Sequence, residues 1–130
     1  MAVQLNHTIV LSRDKRVSAD FLSQILGLPA PTPFGPFLVV QADNAVSLDF
    51  VEVKGAILPQ HYAFLISEEE FDAIFGRIRE RGLSYWADPF HHEPGQINRR
   101  DGGRGVYFDD PSGHNLEILT RPYGSGADHS

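Results

Sequence analysis

One order of elements is written twice along this chain. A short apolar strand is followed by an amphipathic helix and a set of short strands, and near residue 61 the order starts again. Leu5–Ser12 reads as a strand, with β-branched Thr8, Ile9 and Val10 in an apolar run that Arg13-Asp14 ends. Val17, Phe21, Leu22, Ile25 and Leu26 recur at helical spacing, and Gly27 stands where a C-terminal cap belongs. Leu28–Pro36 carries prolines at 29, 31, 33 and 36 and reads as a loop or a ragged edge strand. Phe37–Gln41 and Val46–Val53 read as strands around an Asp43-Asn44 turn.

The second copy opens with a strand over His61–Ile66. Ser67-Glu68-Glu69-Glu70 is a capping box, and Phe71, Ile74, Phe75 and Ile78 follow at helical spacing until Gly82. Leu83–Ala87 reads as a short strand and Asp88–Arg104 as a long polar loop. Gly105–Asp109 and Asn115–Thr120 read as strands joined by a tight turn, and the polar tail Pro122–Ser130, with His129, reads as a fraying end. First strands begin alike, at Asn6-His7-Thr8 and Gln60-His61-Tyr62; last strands correspond, as Leu48-Asp49-Phe50 and Leu116-Glu117-Ile118. The expectation is one α+β domain over residues 1–130, built of two βαβββ modules at about 5–53 and 61–121.

Composition narrows the chemistry. With 42% apolar residues in 130, the chain can bury a core. It has no cysteine, so disulfides, thiolate metal sites and cysteine nucleophiles are excluded, and any metal must sit on His, Asp or Glu. The net charge is −6 with scattered basic residues, which argues against nucleic-acid and membrane-surface partners. No apolar run approaches the roughly 18 residues of a membrane span. The first residues lack a signal-peptide pattern, so the expected location is the cytoplasm.

Strand side chains alternate between faces. Leu116 and Ile118 point one way in the last strand, and Asn115, Glu117 and Leu119 the other; in the first module Ser47 and Asp49 oppose Leu48 and Phe50. Tyr107 opposes Val106 and Phe108, and His7 and His61 lie in apolar strands. Each module therefore offers one histidine and one carboxylate. Imidazole with carboxylate suits Fe(II), Ni(II), Zn(II) or Mn(II), and two His with one carboxylate is the set used by non-haem iron oxygenases. The bland alternative is a pair of hydrogen-bonded strand histidines beside a solvent-facing Glu117.

The doubled pattern, Leu5-Asn6-His7, His61-Tyr62-Ala63-Phe64, and the run from Val106 through Asp110-Pro111-Ser112-Gly113-His114-Asn115-Leu116-Glu117 resemble the vicinal oxygen chelate superfamily. That superfamily holds glyoxalase I, fosfomycin-resistance transferases, bleomycin-binding proteins and extradiol dioxygenases. The resemblance spans Leu5 to about Tyr123 and implies two modules forming an open, U-shaped β cup around one metal. It implies His7, His61 and Glu117 as ligands, with Asp49 at the place of a fourth ligand that some members use. It also implies that Tyr107 touches substrate oxygens and that the chain forms a homodimer. The extradiol signature fits around Tyr107, Asp110, Pro111, Gly113 and Glu117. It departs upstream, where a histidine is expected and Asn98, Arg99 and Arg100 stand, which argues against simple catechol cleavage.

The loop from Pro89 to Gly105 and the Thr120-Arg121-Pro122-Tyr123-Gly124 ending are similar to the oxygenase of chartreusin biosynthesis and its relatives. That likeness implies iron-dependent dioxygenase chemistry, an oxidative C–C cleavage or rearrangement of a polycyclic aromatic polyketide. A flavin-dependent partner is one source of activated oxygen. His91 or His92 is the candidate general acid–base, because imidazole titrates near neutral pH, and Arg100 or Arg104 the candidate for steadying an enolate. Trp86, Phe34 and Phe37 read as pocket lining or as plain core. The rivals are a glyoxalase-type isomerase or fosfomycin-type thiol transferase using Ni(II), Zn(II) or Mn(II), and a non-catalytic protein that binds an aromatic antibiotic.

Overall fold

A computed structural model describes residues 3–126. The chain divides into two compact units, residues 1–58 and 59–130. Each is a small mixed sheet with one α-helix, the α+β arrangement expected, and the second adds a 3-10 turn at Arg100–Gly102.

In the first unit, β1 (His7–Ser12) leads into α1 (Lys15–Leu26), followed by β2 (Thr32–Phe34), β3 (Phe37–Gln41) and β4 (Ser47–Glu52). The Asp14 side chain accepts the Val17 N–H at the start of α1, and Gly27 ends it at φ 71°, a left-handed conformation that costs glycine nothing. The sheet order is β1-β4-β3-β2, with β1 and β4 parallel and the other pairs antiparallel. Val10, Leu38, Val40, Leu48 and Phe50 are buried with Ala19, Leu22 and Ile25 of α1. The proline-rich stretch does form an edge strand, β2, placed where a missing N–H does least harm.

In the second unit, β5 (His61–Leu65), α2 (Glu68–Glu80), β6 (Gly105–Asp109) and β7 (Asn115–Leu119) give the order β5-β7-β6. The expected capping box is present: Glu70 N–H donates to Ser67 Oγ, and Ser67 N–H to the Glu70 carboxylate. Phe71, Ile74 and Ile78 of α2 are buried with Val106, Phe108, Leu116 and Ile118. Among the described residues, no helix is long and apolar enough to cross a membrane.

The strand expected at Leu83–Ala87 does not form. It is reduced to Trp86, which exchanges two backbone hydrogen bonds with Tyr107 at 2.9 and 2.8 Å on one side and bridges Pro94 on the other. The chain turns back on itself at once, Ala87 N–H reaching Glu93 O and Gly95 N–H reaching Tyr85 O, so the segment closes as a loop instead of extending the ladder. The strand order of the first unit is thereby repeated, with its fourth member cut to one residue.

Candidate functional site

Register places the polar residues of the second unit on one sheet face. Glu117 of β7 pairs with Ala63 of β5 on one side and Tyr107 of β6 on the other, while His61 pairs with Asn115, one row away. His61 and Glu117 are thus diagonal neighbours on one face, within reach of long side chains. His61 Nε2 lies 3.0 Å from Glu117 Oε1. Glu117 is only 1% exposed, and a carboxylate so deep in a sheet must be paired or ligating.

Its second oxygen accepts from the Tyr123 hydroxyl. The Tyr123 and Tyr107 hydroxyls share a hydrogen bond, and Arg100 Nη1 donates to Tyr107 Oη at 3.3 Å. Because Tyr123 gives its one proton to Glu117, Tyr107 must give its own to Tyr123. Every donor therefore points one way, from Arg100 through Tyr107 and Tyr123 to Glu117. Burial pushes both phenols above the ordinary tyrosine range, and the carboxylate adds to the effect on Tyr123. Both stay protonated at working pH.

The far side of His61 carries a telling gap. Asn115 Nδ2 lies 3.3 Å from His61 Nδ1 and 3.3 Å from Pro89 O. Asn115 Oδ1 is buried with no hydrogen-bond partner among the described residues. A half-turn of the amide would offer that oxygen to a protonated Nδ1, the tautomer that frees Nε2 for a metal. In the first unit, His7 Nδ1 lies 2.7 Å from Asn6 Oδ1. An amide oxygen only accepts, so the proton sits on Nδ1 and the Nε2 lone pair is free. His7 lines a groove of about 400 Å³ with Asp49, Ser47 and Phe34. Asp49 accepts from Ser47 Oγ at 2.9 Å.

The four expected ligands thus stand two in each unit. Among the described residues, no group of three or more His, Asp or Glu is placed to hold a metal ion. The residues still fit a divalent ion in kind. They offer imidazole nitrogens with outer partners able to set the tautomer, and a buried carboxylate whose described partners are an imidazole and a phenol.

The long loop sorts the remaining candidates. His91 lies flat on Trp86 with its Nε2 3.6 Å from Asp109. His92 is 78% exposed at the side chain, and its backbone N–H donates to Asp88. Arg104 pairs with Glu68 and Asp72 and covers Phe71, fastening β6 to α2, which leaves Arg100 as the arginine beside Tyr107. Asn98, at the departure from the extradiol pattern, exchanges two backbone bonds with Gly105 and donates Nδ2 to Ala87 O, holding the loop's base. Buried His114 shapes the turn between β6 and β7, accepting at Nδ1 from Gln60 N–H.

Sequence reasoning missed Tyr123, placed in a tail expected to fray. Pro122–Gly126 is instead held in place, the Gly124 and Gly126 N–H groups donating to Asp101 and Arg121 donating to Ser125 O. His129 lies outside the described residues.

Comparison with known proteins places this arrangement. The sequence profile of the Glyoxalase/Bleomycin resistance protein/Dioxygenase superfamily matches residues 4–118. The chain belongs to that superfamily. Among solved members it is similar to the oxidase ChaP-H2, at 66% identity and TM-score 0.95 over 98% of this chain and 100% of that one. It is similar to the oxidase ChaP-H1 at 68% identity and TM-score 0.93, over 95% and 99% of the two chains. It is 30% identical over 125 residues to the glutathione transferase FosA of Serratia marcescens, covering 91% of this chain and 81% of that protein. The superfamily fold accounts for the duplication, and the likeness to the two oxidases covers 95–98% of this chain.

Proposed function

We propose that this chain is a non-haem Fe(II)-dependent oxygenase of the vicinal oxygen chelate type. Its reaction is the oxidative cleavage or rearrangement of a C–C bond in a polycyclic aromatic polyketide. The observation that carries this reading is the 66–68% identity to two proteins named as oxidases, over nearly the whole chain. The donor set supports it, since two imidazoles and one carboxylate suit Fe(II) and leave positions open for two vicinal substrate oxygens.

His7, His61 and Glu117 would hold the metal, with Asp49 available as a fourth ligand. When bound, the metal supplies Lewis acidity and one-electron chemistry toward oxygen. The chain's own residues do the rest. Tyr107 donates its hydrogen bond to Tyr123 and accepts from Arg100, so its oxygen keeps one lone pair for a substrate hydroxyl. Arg100 brings a fixed positive charge to the same place, where an enolate would form. Tyr123 holds one Glu117 oxygen and leaves the other facing His61. The protein works as a homodimer, which covers its exposed sheet edges, and activated oxygen comes from O2 or from a flavin-dependent partner.

The test is metal content after purification without added metal, paired with oxygen uptake on hydroxyquinone substrates. About one iron per chain, lost in His61→Ala, together with substrate-dependent oxygen uptake, supports the reading. Nickel, zinc or manganese with glutathione consumption would replace it by the thiol transfer that the identity to FosA favours. A chain that takes up no metal would be a binder of aromatic ligands.

A further inference from the structure

One aspartate of this chain is followed by glycine, Asp101-Gly102, and no asparagine is. In such a pair the aspartyl side chain closes most easily on the next backbone nitrogen, because glycine has no Cβ to block the approach. The setting adds to the case. Asp101 is half-buried and Gly102 exposed, so water reaches both. Asp101 stands at φ 56° and ψ 26°, a left-handed conformation that side-chain-bearing residues seldom hold.

The same carboxylate carries the Pro122–Gly126 segment. Asp101 Oδ2 accepts from Gly124 N–H and Oδ1 from Gly126 N–H, each at 3.1 Å. Beside it, Gly103 lies so close to Thr120 and Arg121 that a Cβ would come within 2.5 Å of Thr120 Oγ1 and 2.8 Å of Arg121 Cγ. Ring closure requires the carboxyl carbon of Asp101 to swing onto the Gly102 nitrogen. With both oxygens held by the segment, the carboxylate must first give up those two bonds. The segment therefore guards the one linkage whose chemistry would release it.

We propose that Asp101-Gly102 is a site of isoaspartate formation that unlatches Tyr123 from Glu117, and that Pro122–Gly126 holds it in check. The Gly102 nitrogen attacks the side-chain carboxyl carbon of Asp101; the new C–N bond forms, and the carboxyl hydroxyl departs as water with the amide proton. Water then opens the ring at the main-chain carbonyl, so no atom is gained overall and no electron is transferred. The product has one more methylene in its backbone and a carboxylate set directly on Cα. That shorter arm no longer meets Gly124 and Gly126 together, and Tyr123 loses the anchor that keeps its hydroxyl on Glu117. The longer backbone also relieves the left-handed constraint at Asp101. None of this depends on which reaction Glu117 serves.

The test ages the full chain for weeks at neutral pH and body temperature. Peptides are then read by electron-transfer fragmentation, which tells isoaspartate from aspartate at equal mass. Isoaspartate is expected at Asp101, and about tenfold faster in Gly126→Ala, whose Cβ pushes the segment off Asp101; that factor matches the loss of one hydrogen bond to a charged group. Asp101→Glu, which would have to close a larger ring, is expected to form no such linkage. In aged wild-type protein the Gly124 and Gly126 amide NMR signals should each divide, the second peak growing in step with the isoaspartate. Equal rates in wild type and Gly126→Ala, no isoaspartate at Asp101 in either, or isoaspartate that leaves the Gly124 and Gly126 signals unmoved would each overturn the proposal.

Discussion

His61 Nε2 and Glu117 Oε1 meet at 3.0 Å, although 56 residues separate them in the chain. The parallel pairing of β5 with β7 makes them neighbours, and it buries the carboxylate while leaving the imidazole part-exposed. Removing either partner therefore has different consequences. Glu117→Gln keeps the shape and removes the buried charge, so metal binding falls at least tenfold while thermal stability without metal holds or rises. His61→Ala also loses metal but strands the carboxylate, costing about 1–2 kcal/mol. Elemental analysis and thermal melts of the two variants check the contrast; equal losses of stability would contradict it.

Asn115 sets the orientation of His61 from behind. Its buried Oδ1 has no hydrogen-bond partner among the described residues until the amide turns toward His61 Nδ1. Asn115→Leu should lower metal affinity by about tenfold to a hundredfold, the usual size of such outer-partner effects. Competition with a metal chelator measures it, and an affinity equal to wild type would show that the imidazole needs no second partner.

Tyr123→Phe keeps the ring under Arg100 and removes only the proton given to Glu117. A hydrogen bond to a charged group contributes about 1.5–3 kcal/mol, so on the proposed oxygenase reading kcat should drop roughly tenfold or more with KM for the aromatic substrate nearly unchanged. A rise in KM alone would mean that Tyr123 contacts substrate instead of orienting the carboxylate.

Much of this was legible in the sequence, for a physical reason. The elements are signalled by local chemistry: Ser67 and Glu70 close a capping box, Gly27 takes a left-handed cap, and the alternation around Glu117 fixes its face. Trp86 and Tyr123 were harder. Trp86 lies in a run that reads as a strand, yet its pairing ends after one residue because the loop to Pro94 folds straight back. Tyr123 follows Pro122 in a segment of small polar residues, and what holds it is Asp101, more than twenty residues earlier. No local pattern announces such a tether.

Asp109 gives the pH dependence a sign. Burial raises its carboxyl above the ordinary 3.8, with nearby His91 opposing the shift. A raised carboxyl binds protons more tightly in the folded state than in the unfolded one. Its contribution therefore favours folding at low pH and is lost as pH climbs from about 3.8 through the folded value. Asp109→Asn should flatten that part of the stability profile and gain on wild type near neutral pH. Urea midpoints at several pH values decide it, and parallel profiles for the two proteins would refute the assignment.

Gly126 offers a way to disturb Tyr123 without touching it. A Cβ at Gly126 would sit 2.6 Å from Asp101 Cα and 2.9 Å from its carbonyl carbon, backbone atoms that cannot turn aside. Gly126→Ala should lift the segment off Asp101 and carry Tyr123 away from Glu117. The expected result is the kcat loss of Tyr123→Phe with metal retained, and no further loss in the double variant, because both changes break one connection. Gly76→Ala is the control: its Cβ meets nothing within 4 Å in the interior of α2, so it should add about 1 kcal/mol of stability and leave turnover alone. Additive losses in the Gly126→Ala, Tyr123→Phe double variant would show that the tether acts on the site by some route other than Tyr123.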